Sequence, residues 1–111
     1  MFSTHIEIRT SDSHSLIDLD TMRRTNPPDG VYIGDHVWVS KHAAIMKGAA
    51  IGDDNVVGYG ALVNGNMDMS NAMLVGAPAK PIPGRRVTWS RLSNVKKADD
   101  TVFEWKNYPQ L

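Results

Sequence analysis

From Ile33 to Val63 an aliphatic residue returns at every sixth position: Ile33, Val39, Ile45, Ile51, Val57 and Val63. The fifth position of each block is small or medium in size, being Val37, Ala43, Ala49, Asn55 and Ala61. A repeat of six suits neither the period of about 3.6 residues of a helix nor the two-residue alternation of a long strand. It suits a solenoid in which short strands form flat walls and each block turns a corner. Three blocks close one triangular turn, so residues eighteen apart should stack: Ile33 on Ile51, Val39 on Val57, Ile45 on Val63. Successive turns would then lie about 4.8 Å apart, the spacing of paired strands. Small fifth residues fit an interior that narrows at each corner. The glycines at second positions, Gly34, Gly52 and Gly58, are expected to ease turns with unusual backbone angles.

The fold class expected is therefore all-β, a parallel coil of hexapeptide repeats. In 111 residues there is room for one domain. About two turns are expected, which makes a thin core with open ends and favours side-by-side association. Twelve basic and twelve acidic residues balance, so no global field draws in nucleic acid or a membrane surface. The chain has no cysteine, which removes disulfides, a thiolate nucleophile and cysteine metal sites. Neither a long apolar run nor a signal-peptide pattern at Met1–Thr10 is present, so a cytoplasmic location is expected.

Phe2 and Ile8 are also six apart, and FSTHIE and IRTSDS look like blocks of an earlier turn. The polar stretch 10–30 then breaks the period and ends in the turn Asn26-Pro27-Pro28-Asp29-Gly30 before the repeats resume. It is expected to be an insertion looping from a corner, and loops of this length tend to be functional. Asn66 to Ala72 reads as a polar loop, and Met73 to Ile82 as an extended exit whose prolines prevent a further paired strand. The division expected is a coil domain over 1–86, with the insertion, and an extension over 87–111 that packs on or caps the coil. Within the extension, Val87-Thr88-Trp89 is a short strand candidate and Ala98 to Trp105 a short helix or strand, with Trp89, Phe103 and Trp105 buried.

Three segments, IGDHVW, IGDDNVVGYGALV and VGAPAKPI, resemble the hexapeptide-repeat acyltransferases. The nearest group is that of the galactoside, maltose and serine O-acetyltransferases, with relatives that acetylate sugars of surface polysaccharides. The resemblance runs from about residue 2 to about residue 84. It implies a left-handed parallel β-helix, against the usual right-handed rule for parallel crossovers. It also implies acetyl-CoA as acyl donor, a homotrimer with active sites between protomers, and further coils or a helical cap before residue 2.

On this resemblance His14 is the general base for an acceptor hydroxyl, a task that suits imidazole near neutral pH. Asp12 matches the acid of an Asp-x-His motif and would orient the ring or touch acceptor. Trp38 would lie beside the acceptor and the pantetheine end of the donor, and the Lys41 backbone N–H could polarise the thioester carbonyl. Tyr59 and Gly60 stand where the backbone lines the pantetheine groove, and Asn64 where the nucleotide end is met. Lys80, Arg85 and Arg86 are cations suited to donor phosphates. Three departures stand out: Ser40-Lys41 for a Gly-Ser or Gly-Ala pair, Tyr59 for a small residue, and Asn64-Gly65 for Thr-Lys. They motivate the alternative of a shortened, inactive binding or assembly module. No metal is expected: His36 and His42 fall on different walls, and the histidine spacing does not match the three-histidine zinc site of the γ-class carbonic anhydrases.

Overall fold

A computed structural model of the chain describes residues 1–93. Its strands are β1 (Glu7–Ile8), β2 (Ile17–Asp18), β3 (Arg23–Arg24), β4 (Tyr32–Ile33), β5 (Trp38–Val39) and β6 (Ala44–Ile45). They continue as β7 (Ala50–Ile51), β8 (Val56–Val57), β9 (Leu62–Val63), β10 (Asn66–Met67), β11 (Met73–Gly76) and β12 (Ala79–Pro81). In the repeats each strand joins a sixth-position residue, which faces out, to a first-position residue, which faces in. The chain is all-β among the described residues, and no helix there is long and apolar enough to cross a membrane.

Three walls result. The first has strand order β12-β11-β8-β5, with Phe2 pairing above it on Val39. The second is β1-β6-β9 and the third β10-β7-β4. All the pairs that join one rung to the next are parallel. Ile33 pairs with Ile51, Val39 with Val57 and Ile45 with Val63, the eighteen-residue register that the repeat demands. Val39, Ile45, Ile51, Val57, Val63 and Leu74 are each 0% exposed, so the core is a column of first-position side chains. Burying one such aliphatic residue is worth about 1.5–3 kcal/mol, and the column is the main source of stability.

Four expectations need correction. Each wall carries three rungs, not two, because β1 opens the second wall and β10 and β11 extend the others. Asn66–Met67 is a strand and not a loop: the last rung is cut short, Met67 pairing with Ile51 at sixteen residues and Leu74 with Val57 at seventeen. The prolines do not prevent pairing either. Ala79–Pro81 turns back antiparallel on β11, Leu74 facing Pro81, and takes the sheet edge, where proline is tolerated. Val87–Trp89 forms no strand.

The glycines, too, act for another reason than expected. The left-handed backbone lies at the fourth position: His5 (φ 57°), His36 (52°), His42 (63°), Gly48 (80°), Asp54 (60°) and Gly60 (67°), with Asn71 (59°) at the matching corner of the short rung. Second-position Gly34, Gly52 and Gly58 instead lie where rungs touch. A Cβ on Gly52 would strike the carbonyls of Asp68 and Met69, and one on Gly58 would come within 3.2 Å of the Leu74 carbonyl. Asn55 is the polar exception among the fifth positions. Fully buried, it donates to the carbonyls of Gly52 (3.0 Å) and Met69 (2.7 Å) and accepts from the Ala72 N–H (2.8 Å), bridging the shortened rung.

The insertion is a hairpin arm, β2 antiparallel to β3, whose turn is closed by the Asp18 carboxylate accepting from the N–H groups of Asp20 (2.7 Å) and Thr21 (3.1 Å). Ile8 pairs with Ile45 across thirty-seven residues where eighteen would serve, so the arm adds nineteen without disturbing register. After the β11–β12 hairpin the chain climbs the corner between the third and first walls. Val87 exchanges hydrogen bonds with Asn71 on the lowest rung, and the Trp89 indole N–H donates to the His36 carbonyl (2.9 Å) on an upper one. The stretch from Ala98 to Trp105, with Phe103 and Trp105, lies outside the described residues.

Candidate active site

The arm is anchored at its root by Asn26, a buried residue among exposed neighbours. Its amide oxygen accepts from the Leu16 N–H (2.7 Å) and from Arg24 Nε (3.2 Å). Its amide nitrogen donates to Asp12 Oδ2 (2.9 Å) and to the His14 carbonyl (2.9 Å). The two strands of the arm and the two predicted site residues thus meet on one side chain. From the coil, Lys47 reaches Asp12 Oδ2 (2.8 Å) and the Pro27 carbonyl (3.1 Å), tying both ends of the arm to the second corner. The Lys47 ammonium and then the Asn26 amide hold the Asp12 carboxyl below the usual carboxylate range.

His14 is pinned through its backbone on both sides. Its N–H donates to the Asp12 carbonyl (2.8 Å) and its carbonyl accepts from Asn26. The imidazole is exposed and makes no hydrogen bond among the described residues. Asp12 does not orient it directly, since its carboxylate is engaged by Lys47 and Asn26. Beside this root runs an open groove of about 380 Å³ lined by Asp12, Met46, Lys47, Leu62 and Asn64. Asp12 and Asn64, assigned to opposite substrates by resemblance, therefore share one cleft with a charged rim and an apolar floor. Asn26 and Lys47 were not singled out from the sequence. The signal for Asn26 is its place just before two prolines that fix the chain leaving the arm; Lys47 is a cation at a corner facing the insertion.

The remaining predicted residues lie elsewhere on this chain. Trp38 is half-buried on the first wall, its ring 6.2 Å from that of Trp89 and tilted by 52°. Lys41 and Tyr59 are exposed at the first corner, where Tyr59 meets His42 edge-on (5.4 Å) and His42 lies against His5 (5.1 Å). The Lys41 carbonyl accepts from the Gly60 N–H (3.1 Å), while the Lys41 N–H donates to no described residue. Gly60 has open space where a Cβ would stand. Lys80, Arg85 and Arg86 are exposed at and beyond the edge strand of the first wall and do not line the groove. His36 and His42 occupy different corners. His36 is bound through Nδ1 to Asp54 (2.8 Å) and stacked on Trp89 at 3.9 Å.

The family model described as bacterial transferase hexapeptide (six repeats) matches residues 30–65. That stretch forms the middle of the three-walled parallel coil, so the chain carries hexapeptide repeats of that family. It is 32% identical over 100 residues to the polysialic acid O-acetyltransferase of Escherichia coli O1:K1 / APEC, a match over 90% of this chain and 32% of that protein. The polysialic acid O-acetyltransferase OatWY has a similar structure, with a TM-score of 0.83 at 28% identity over 96% of this chain and 50% of that one. A hexapeptide-repeat acetyltransferase of Vibrio cholerae, solved in complex with acetyl-coenzyme A, shares the fold at a TM-score of 0.60 and 22% identity, over 75% of this chain and 43% of that one. This hexapeptide-repeat chain spans about a third of the curated relative and about half of the solved ones.

Proposed function

We propose that the chain carries the coil and arm of an acetyl-CoA-dependent O-acetyltransferase that acts on a hydroxyl of a sugar or similar small acceptor. The observation that supports this reading is the clamp of Asn26 and Lys47, which holds Asp12 in the wall of the groove and ties down the His14 backbone two residues on. An arm built for nothing but length would not place its buried amide on the backbone of an exposed histidine. Names of relatives supply the chemistry: polysialic acid O-acetyltransferases transfer acetyl groups to a sugar polymer, and the Vibrio cholerae protein of the same fold binds acetyl-coenzyme A.

In this reading the coil is left-handed and three copies assemble side by side. His14 and Asp12 stand at the second corner, whereas Trp38, Lys41 and Tyr59 belong to the first wall and first corner. A neighbouring copy brings the two sets together, so each groove lies between protomers. The His14 imidazole takes the acceptor hydroxyl proton as the oxygen attacks the thioester carbonyl. The Lys41 N–H meets the oxyanion, and collapse of the tetrahedral adduct expels the thiolate, which recovers the proton from His14. Trp38 and Tyr59 flank the donor, Gly60 and Asn64 line its path, and Lys80, Arg85 and Arg86 hold its phosphates by charge-assisted bonds.

The test is His14→Ala, with thiol release measured on a panel of sugar acceptors and acetyl-CoA affinity by calorimetry. Turnover should fall by about 10²–10⁴ with donor affinity unchanged. Loss of donor binding with turnover intact refutes the assignment. One observation favours a second reading, an inactive binding or assembly module: the Tyr59–His42 contact fills the first corner where the resemblance expects a small residue. In that case a folded oligomer binds no acetyl-CoA.

A further inference from the structure

Trp89 lies fifty-three residues from His36 in the chain, yet it is 7% exposed and makes three separate contacts on the upper rung. Its ring stacks on the His36 imidazole with centroids 3.9 Å apart and planes within 7°. Its N–H is spent on the His36 carbonyl at 2.9 Å. It also meets Trp38 at 6.2 Å and 52°, a tilted arrangement within the range in which aromatic pairs attract. The platform beneath is itself fixed. His36 holds its left-handed corner conformation and bonds Asp54 on the rung below, where its side chain is 3% exposed.

A sixth-position side chain points out of the wall, and Trp38 is paired in register with the much smaller Val56, which is shorter than the indole it lies beside. The aromatic side chain that meets Trp38, Trp89, arrives from the segment after β12, a strap up the corner, and not from the coil. We propose that Trp89 is a positioning residue: seated on His36 and hydrogen-bonded to its carbonyl, it fixes the Trp38 indole in the orientation that meets the acyl donor. The inference rests on the reading of Trp38 as a donor-site residue.

Four variants of the full chain test it, with acetyl-CoA affinity measured by calorimetry. Trp38→Ala should abolish donor binding. Trp89→Ala should weaken it by up to about tenfold, the value of one aromatic pair, and Trp89→Phe, which keeps a ring on His36, should recover part of the loss. The exciton couplet of the two indoles in far-ultraviolet circular dichroism should vanish in the Trp38 and Trp89 variants. Asn71→Gly removes the strap's side-chain tie to the Val87 carbonyl without touching either indole; it should lower the melting temperature and leave affinity alone. Donor binding that survives Trp38→Ala refutes the donor-site reading, and the proposal falls with it. Binding lost in Trp38→Ala but unchanged in Trp89→Phe and Trp89→Ala refutes the positioning role alone, as does equal loss of affinity in Asn71→Gly. Should Trp89→Ala fail to fold, an unchanged affinity in Trp89→Phe with the couplet gone decides against the proposal.

Discussion

Replacing Asn26 by alanine separates the order of the arm from the stability of the coil. The side chain makes four hydrogen bonds, to the Leu16 N–H, Arg24, the Asp12 carboxylate and the His14 carbonyl. A net value of about 0.5–1.5 kcal/mol per neutral bond, with rather more for the carboxylate and less for the long bond to Arg24, puts the total near 3 kcal/mol. None of the four partners belongs to the core column. The loss therefore falls on local opening of the arm, where about 1.4 kcal/mol is a factor of ten. Amide exchange at residues 12–26 should accelerate about a hundredfold, while exchange at 39–63 and the melting temperature change little. Mass-detected hydrogen exchange on the two peptides measures this directly. Unchanged exchange at the Leu16 amide, or equal acceleration across the coil, refutes the assignment of Asn26 as a local clamp.

Three further outcomes follow from the geometry. Gly52→Ala should cost about 1–3 kcal/mol or more in urea denaturation because its Cβ meets backbone carbonyls, whereas Gly65→Ala, with nothing within 4 Å, should stay within about 0.5 kcal/mol of neutral. Asn55→Ala should cost about 1–3 kcal/mol or more by the same measure, since it strands the buried Ala72 N–H. Burial lowers the His36 pKa from 6.5, with the Asp54 bond opposing and the Met1 ammonium and Arg91 adding to the effect. The unfolded chain then takes up the proton first, so stability present above about pH 6.5 is lost as the pH falls through the depressed folded value. The melting temperature should drop on acidification from about pH 7 to 5, and His36→Asn, which suits the left-handed corner, should flatten that slope.

The repeats from Ile33 to Val63 were legible because six successive blocks put an aliphatic residue at one position, and nothing but a coil makes use of that. The next rung was not. It closes in sixteen and seventeen residues, so Met67 and Leu74 fall outside the frame, although their pairing continues it. A glycine in sequence shows that a side chain is unwelcome without showing whether backbone angle or a neighbour objects. Gly52 is excluded by the carbonyls of Asp68 and Met69, while histidine and aspartate carry the strained corners. His14 could be singled out through resemblance, but the contacts that hold it could not. Asn26 reaches it across twelve residues, and Trp89 reaches His36 across fifty-three, with no local pattern to announce either.

The nineteen extra residues of the arm leave the coil between the pairs Ile8–Ile45 and Ile33–Ile51 with its phase intact. Any length that begins and ends at the same two points serves the coil equally well, because no core residue belongs to the arm. Its internal order comes from Asn26 and the β2–β3 turn, both contained within it. Apart from the ties of Lys47 to Asp12 and Pro27 at the root, arm and coil are thus free to change on separate terms. A library that varies residues 15–25 while keeping Asp12, His14, Asn26 and Lys47 should yield folded proteins at high frequency, and so offers a route to altering what such a coil acts upon.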